Sequence, residues 1–140
     1  MNKVLKATKG QWHYAMMHHP VYSVRPSRLN IGERYWLGTF FNRHKFDLIL
    51  QGHDHGYGRR FAHDPQANNL IPSLTPTKHK PMYVVSFASE KSYEVDPNAA
   101  MEKLGNRIRS VQTIEQKGDT LWYKSYTSDL ILFDQAVLLK

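Results

Sequence analysis

The chain of 140 residues carries a formal net charge of +7, and 41% of its residues are hydrophobic. This length and composition suit one modest folded domain, and they exclude a chain that is disordered throughout. No apolar run reaches about 18 residues, so we expect no membrane span, and the first residues lack the apolar region of a signal peptide. Because the chain has no cysteine, any metal ion must be bound through nitrogen and oxygen ligands.

The positive charge is spread along the whole chain rather than gathered in one stripe. The 19 lysine and arginine residues outnumber the 12 acidic ones, and such a balance attracts nucleic acid, anionic surfaces or phosphorylated substrates. No common nucleic-acid-binding motif accompanies the charges. We therefore interpret them as a solvated surface and keep a nucleic-acid-binding domain as a weaker alternative.

The first part of the chain predicts two neighbouring strands. Residues 1–10 form a frayed lead-in or the end of a helix, and residues 12–17 form a strand that Pro20 stops. Residues 48–50 are a short apolar run with the composition of a buried strand. With a helix between them, the two strands form a βαβ-like unit and are expected to be neighbours in one sheet.

The helix between these strands is predicted over about residues 31–45. Asn30 followed by Glu33 is typical of a capped helix start, and apolar residues then recur at helical spacing. We expect the aromatic residues of this helix, including Tyr35 and Trp36, to pack in the core and at its edge.

The remaining chain predicts a loop, a strand, a short helix and antiparallel strands. Residues 61–80 are rich in proline, asparagine, serine and threonine, which is typical of a surface loop. Residues 81–87 read as a strand, and Asp96 is predicted to begin a short helix that Gly105 ends. The final third predicts antiparallel strands at residues 107–115, 120–127 and 130–139.

Histidines follow both strands of the first part. His18 comes after the first strand, and the run GHDH at residues 52–55 comes after the second. If the backbone stays extended, His53 and His55 point the same way at roughly 7 Å spacing and can converge on metal. Taken alone, His53 and His55 fit two surface histidines on a loop equally well.

The other histidines are weaker candidates for metal binding. His13 is expected to pack or to face solvent, and His19 and His44 are expected to be structural. His63 and His79 fall in the predicted loop and are weak ligand candidates.

Two segments of the chain resemble the calcineurin-like metallophosphoesterases. The residues MHHP at 17–20 and GHDH at 52–55 are similar to the last two of that family's five sequence blocks, strand-His-x-Pro and strand-Gly-His-x-His. The following residues GYGR at 56–59 look most like the purple acid phosphatase branch, which tends to have Tyr-Glu-Arg there. Gly58 stands where that branch has its glutamate.

The resemblance implies an α/β (α+β) fold. Residues 1–140 would form a single domain, the carboxyl-terminal portion of a calcineurin-like metallophosphoesterase domain. This portion belongs to a β-sandwich flanked by helices and carries an antiparallel carboxyl-terminal sheet. The family's first three blocks, which supply the carboxylate ligands, are not found in this sequence.

The resemblance also implies a dinuclear metal site. His18 and His53 would bind one ion and His55 the other, the ions being two divalent or trivalent cations of iron, zinc or manganese. Arg25 and Arg28 lie in the loop after the first strand and are candidates to contact the phosphate of a phosphorylated substrate. The general acid is expected upstream of this chain.

The resemblance therefore implies a dinuclear phosphoesterase that hydrolyses phosphate monoesters or diesters with a metal-activated hydroxide. That activity belongs to an intact parent protein, and residues 1–140 alone are expected to be inactive and to bind metal weakly. The alternatives are a single-zinc binding module built on His18, His53 and His55, and a non-catalytic interaction module. Oligomeric state and localisation are left open.

Overall fold

The computed structural model describes residues 2–8, 10–62 and 81–140. The described helices are α1 (Asn2–Ala7), α2 (Ile31–Glu33) and α3 (Thr39–Arg43), with a π-helical segment (Arg34–Gly38) joining α2 to α3. The described strands are β1 (Tyr14–Met17), β2 (Leu48–Gln51), β3 (Tyr57–Phe61), β4 (Met82–Val85), β5 (Lys103–Gly105), β6 (Ser110–Lys117), β7 (Thr120–Thr127) and β8 (Leu132–Leu139). None of these helices is long and apolar enough to cross a membrane.

The first sheet has the strand order β1-β2-β4-β3-β5. β1 and β2 are parallel, with Tyr14 opposite Leu48, and β2 is parallel to β4. β3 runs antiparallel to both β4 and β5. The predicted βαβ-like unit is therefore confirmed. The strand expected over residues 81–87 is confirmed as the shorter β4, which is buried along its whole length.

The helix predicted over residues 31–45 is present from Ile31 to Arg43, but it does not begin as expected. Asn30 has a left-handed backbone with φ of 48° and makes no side-chain capping bond. Its amide Nδ2 instead donates to the carbonyl of Pro20 at 2.6 Å. The predicted capping arrangement is wrong because Asn30 fastens the helix start to the preceding loop.

Two aromatic side chains of this helix face away from the core. Tyr35 is 48% exposed and Trp36 is 73% exposed, so the expectation that they pack in the core is wrong. Their rings contact each other edge to face, with centroids 5.1 Å apart. The π-helical segment that contains both residues shifts the helical spacing on which the prediction relied.

Two further elements differ from the sequence predictions. No strand was expected at residues 57–61, yet β3 forms there and lies between β4 and β5. The short helix expected from Asp96 to Gly105 is also wrong. The chain turns after Asp96, whose carbonyl accepts from the Ala99 amide at 3.0 Å, and then enters β5. Of the loop predicted over residues 61–80, residues 63–80 lie outside the described residues.

The second sheet consists of β6, β7 and β8, all antiparallel, as predicted for the final third of the chain. Its inner face packs on one face of the first sheet and encloses an apolar layer. The members of this layer are buried side chains from both sheets: Leu48, Tyr57, Met82, Val84, Leu121, Tyr123 and Leu138. A mixed α/β fold with an antiparallel carboxyl-terminal sheet is thereby confirmed.

A buried polar network also joins the sheets. The carboxylate of Asp134 on β8 accepts from the Tyr57 hydroxyl at 2.7 Å and from Nε of Arg59 at 2.7 Å. The hydroxyls of Tyr57 and Tyr123 lie 3.1 Å apart. Burial raises the pKa of Tyr123 to about 12 and raises the pKa of Tyr57 as well. These hydroxyls therefore stay protonated, and the Asp134 charge is balanced by Arg59.

Candidate metal centre

The candidate site lies where β1 and β2 end. Because these strands are parallel, their carboxyl ends meet at one edge of the sheet, where ligand sites of α/β folds commonly form. His18 directly follows β1, and Gly52 and His53 follow β2. The Gly52 amide donates to the His18 carbonyl at 3.1 Å, so the backbone pairing continues one step past the strands. This bond aligns the two histidine-bearing segments.

Three imidazole rings gather at this edge. Nε2 of His18 lies 3.1 Å from Nδ1 of His53. One ring nitrogen from each of His18, His19 and His53 falls within 4.8 Å of the others. The ring centroid of His19 is 4.4 Å from that of His53 and 5.0 Å from that of His18. The first two rings are exposed and the third is half-buried, so an ion can reach all three from solvent.

The environment of His53 favours its neutral form. Desolvation lowers the pKa of its imidazole, and the nearby positive groups His19 and Arg28 lower it further. A neutral imidazole offers the lone pair that a metal ion binds.

His53 and His55 do not sit on an extended strand. β2 ends at Gln51, and both histidines have left-handed backbones, with φ of 69° at His53 and 48° at His55. Residues other than glycine rarely adopt this conformation, and it persists where surrounding contacts enforce it. The extended spacing considered from the sequence is therefore wrong, and the two rings point into different surroundings.

Asp54 supplies the contacts that hold this turn. Its side chain is 1% exposed, and its Oδ2 accepts from the Ser23 hydroxyl at 2.6 Å and from the Val24 amide at 2.8 Å. Its Oδ1 accepts from Nη1 of Arg28 at 2.9 Å. Asp54 therefore binds the loop that follows His18 rather than an imidazole.

His55 lies outside the group of three rings. Its Nδ1 is 2.7 Å from the carbonyl oxygen of Lys91, and its ring packs against Phe87 and Tyr93. A carbonyl only accepts, so Nδ1 carries a proton, and in the neutral tautomer of the ring Nε2 has the lone pair. Metal-binding histidines are commonly oriented by such a bond from the opposite ring nitrogen.

The two candidate substrate residues lie near the site but are engaged with protein groups. Arg28 pairs with Asp54, and its side chain is 39% exposed. The guanidinium carbon of Arg25 lies 4.1 Å from the centre of the Tyr93 ring, next to His55. Their contact with a substrate phosphate stays a prediction, as do the assignments of His18, His53 and His55 as metal ligands.

The donor set fits one metal ion. Two nitrogens bound to one zinc ion at about 2.0–2.1 Å lie no more than about 4.2 Å apart, and the 3.1 Å between His18 and His53 meets this limit. The nitrogens that His18, His19 and His53 offer all lie within 4.8 Å of one another, close to this limit. Among the described residues, this group contains no carboxylate that could bridge a second ion.

His19 is the site residue that the sequence interpretation set aside as structural. The signal that could have identified it is its place directly after His18. His18 and His19 lie between the end of β1 and Pro20, where the backbone is no longer a regular strand. Successive side chains there need not point to opposite faces, so both rings can lie on the same side.

Comparisons with known proteins bear on the fold. No protein-family model matches the sequence, and no curated protein matches it. Among solved structures, the chain is similar to a purple acid phosphatase isolated from seeds of yellow lupin (Lupinus luteus), with a TM-score of 0.62 and 14% sequence identity. The similarity covers 99% of this chain and 28% of the lupin protein. At this level of identity the likeness bears on the fold alone: the chain shares the fold of part of the lupin protein.

Proposed function

We propose that this chain is the carboxyl-terminal portion of a metal-dependent phosphoester hydrolase domain, with a dinuclear centre in the intact protein. The observation that carries the proposal is the convergence of the His18, His19 and His53 imidazoles at the edge where two parallel strands end. The fold likeness to a purple acid phosphatase supports it independently.

In this proposal His18 and His53 bind one ion together with His19, and His55 binds a second through Nε2. The bond from Nδ1 of His55 to the Lys91 carbonyl supports that role because in the neutral ring it leaves Nε2 unprotonated. When bound, such ions polarise the phosphoryl group and lower the pKa of water so that hydroxide forms near neutral pH.

The residues around His55 are suited to hold the phosphorylated substrate. The guanidinium of Arg25 lies 4.1 Å from the Tyr93 ring centre, and Nζ of Lys91 lies 5.0 Å from it. The His55 ring contacts the same tyrosine at 5.1 Å. Two positive charges beside His55 would attract and orient an anionic phosphate. Arg28 keeps the turn in position through Asp54 and can offer its other N–H groups to the substrate.

Hydrolysis at a two-ion centre needs oxygen ligands in addition to imidazoles. A bridging carboxylate holds the ions close together and offsets their charge, and the histidine group described above supplies only nitrogen. We expect the carboxylates to come from polypeptide other than these 140 residues. The chain by itself is accordingly expected to bind metal weakly and to lack turnover.

A single-zinc binding module is the second candidate. It is favoured by the same three rings, since three imidazoles and one water are a common donor set for one tetrahedral zinc ion. This candidate requires no second ion and no carboxylate bridge.

Metal content and phosphatase activity distinguish the two candidates. We would measure bound zinc, iron and manganese, and hydrolysis of a chromogenic phosphate ester, for this chain and for a polypeptide extended upstream. Two ions per extended chain, with turnover that His53→Ala abolishes and His44→Gln retains, would support the hydrolase. His44 is a suitable control because its ring contacts Phe40 on the helix and it does not belong to the group of His18, His19 and His53.

One tightly bound zinc ion in the short chain, with no hydrolysis on extension, would contradict the hydrolase and support the zinc module. Loss of metal in both His53→Ala and His44→Gln would count against both candidates, since it would mean that the cluster is not the binding site.

A further inference from the structure

Two arginines from different elements meet at one tyrosine ring. The guanidinium carbon of Arg60, on β3, lies 4.2 Å from the centre of the Tyr22 ring. The guanidinium carbon of Arg34, the first residue of the π-helical segment, lies 5.1 Å from the same centre. Stacking on the ring offsets part of the cost of bringing two positive charges together. It does not supply a negative charge.

Among the described residues, no acidic group balances the charges of these two arginines. In the part of the chain that the structure describes, neither Arg34 nor Arg60 forms a salt bridge with a carboxylate. Arg60 is only 5% exposed, and its Nη1 and Nε donate to the neutral carbonyls of Ala100 at 2.8 Å and Phe61 at 3.2 Å. A buried charge of this kind is costly unless a partner of opposite charge compensates it.

Two of the side chains around the Tyr22 ring carry unused hydrogen-bonding groups. Nε of Arg34 is buried without a hydrogen-bond partner among the described residues, and so is the hydroxyl of Tyr83. Tyr83 is directly opposite Arg60 in the sheet, and its ring lies 4.9 Å from the Tyr22 ring. Arg60 has five N–H groups and uses one on Nε and one on Nη1 for the two carbonyls, which leaves one on Nη1 and two on Nη2. The cluster therefore offers several donors that lack an acceptor.

We propose that Arg34, Arg60 and Tyr83 form a binding site for a phosphate-type oxyanion, separate from the histidine cluster. Two guanidinium groups and a hydroxyl match the several acceptor oxygens of such an ion, and arginine binds phosphate with paired N–H groups. The position of Arg34 at the start of a π-helical segment fits this role, because such segments occur frequently at functional sites. The site uses no residue of the proposed metal centre.

Calorimetry with inorganic phosphate tests the proposal on the full chain in the presence of a chelator, so that no metal ion contributes. We expect saturable binding whose dissociation constant rises at least tenfold in Arg34→Gln. Arg43→Gln is the matched control, since Arg43 is exposed at the end of the same helix and its replacement makes the same change in net charge. Its dissociation constant should equal that of the unmodified chain, and so should that of His53→Ala.

Two further variants test the proposal in case Arg34→Gln does not fold. Arg34→Lys keeps the charge but loses the paired donors, and Tyr83→Phe keeps the ring and removes only the hydroxyl. Both should fold, as checked by circular dichroism, and both should bind phosphate severalfold more weakly. Undiminished binding in Arg34→Lys and Tyr83→Phe together would overturn the proposal. Absence of saturable phosphate binding by the unmodified chain would overturn it too.

The choice of anion identifies the ligand chemistry. Sulfate should compete with phosphate, whereas acetate at equal ionic strength should not. Equal competition by acetate would overturn the assignment to a tetrahedral, phosphate-type ion in favour of a carboxylate. Glycerol phosphate distinguishes a free ion from a phosphoryl group on an organic molecule. Binding of glycerol phosphate that Arg34→Gln weakens supports a carried phosphoryl group, and exclusion of it with binding of inorganic phosphate supports a free ion.

Discussion

The Oδ1 of Asp54 lies 2.9 Å from Nη1 of Arg28, and this ion pair ties the turn between His53 and His55 to the loop that follows His18. The same carboxylate also accepts from Ser23 and Val24 in that loop. The left-handed backbones of His53 and His55 are thus enforced by a residue that binds no ligand itself. The geometry of the histidine cluster depends on Asp54 as much as on the histidines.

Replacing Asp54 by Asn should destabilise the fold and loosen the site. The amide keeps the size of the side chain but puts an N–H group opposite Arg28 or Ser23, so one bond to a charged group is lost. We expect the free energy of unfolding to fall by about 2 kcal/mol, measured by urea denaturation, and retention of zinc to weaken in parallel. The exposed Asp129→Asn is the control and should leave both quantities unchanged. Equal stability of the two variants would show that the Asp54 bonds do not hold the turn.

Replacing His19 and replacing His55 should have different effects on the zinc affinity of this chain. Because His19 lies in the three-ring group and His55 does not, His19→Ala should weaken binding of the first zinc ion at least tenfold. His55→Ala should leave that affinity within about twofold, since His55 lies outside the group of rings that would bind this ion. Titration of the purified chain with zinc against a competing chelator measures both. The reverse order of effects would mean that His55, rather than His19, completes the first ion's ligands.

Gly58 should not tolerate a side chain. A Cβ at this position would overlap Cγ1 of Val24 and would lie 3.1 Å from Cγ of Met101, so Gly58→Ala should cost about 1–3 kcal/mol of unfolding free energy. The glutamate that the purple acid phosphatase branch tends to have there would need a larger movement of the Val24 loop.

Gly32→Ala is the matched control for Gly58→Ala. Gly32 lies in α2, and a Cβ there would meet no heavy atom within 4 Å. Alanine should stabilise the helix by about 0.5–1 kcal/mol. Thermal and urea unfolding measure both variants, and a destabilising effect of equal size at the two glycines would contradict this account of Gly58.

Because burial raises the pKa of Tyr123, we expect the free energy of unfolding to fall in alkaline solution. Burial raises the pKa of Tyr123 from 10.0 to about 12, while in the unfolded chain the hydroxyl ionises near its ordinary value. Below about pH 10 the Tyr123 hydroxyl is protonated in both the folded and the unfolded chain, and burying it costs no stability. As the pH rises from about 10 to 12 the unfolded state releases its proton first, so the free energy of unfolding falls by up to about 1.4 kcal/mol per pH unit.

Urea unfolding at several pH values, together with tyrosinate absorbance, checks this expectation. In Tyr123→Phe the decline above about pH 10 should be shallower, because one of the raised groups is gone. A decline of unchanged slope would indicate that Tyr123 ionises freely in the folded protein.

Local sequence pattern was sufficient for the parts of the fold that depend on local chemistry. The apolar runs identified β1, β2 and β4, the alternating carboxyl-terminal segment identified the second sheet, and His18 and His53 were correctly placed at strand ends. Local pattern failed at Asp96, where a capping signal led into a turn and β5. It failed at Tyr35 and Trp36, where a π-helical segment changed which residues face solvent.

The sequence by itself determined the two histidine-bearing strand ends, because hydrophobic period and strand length depend on neighbouring residues alone. Only the tertiary structure decided which rings meet. It brought His19 to His18 and His53, separated His55, and joined Arg34 to Arg60 on Tyr22. These arrangements depend on left-handed backbone at His53 and His55 and on contacts between residues distant in the chain. No local period encodes them, since buried partners such as Asp54 supply the energy that fixes them.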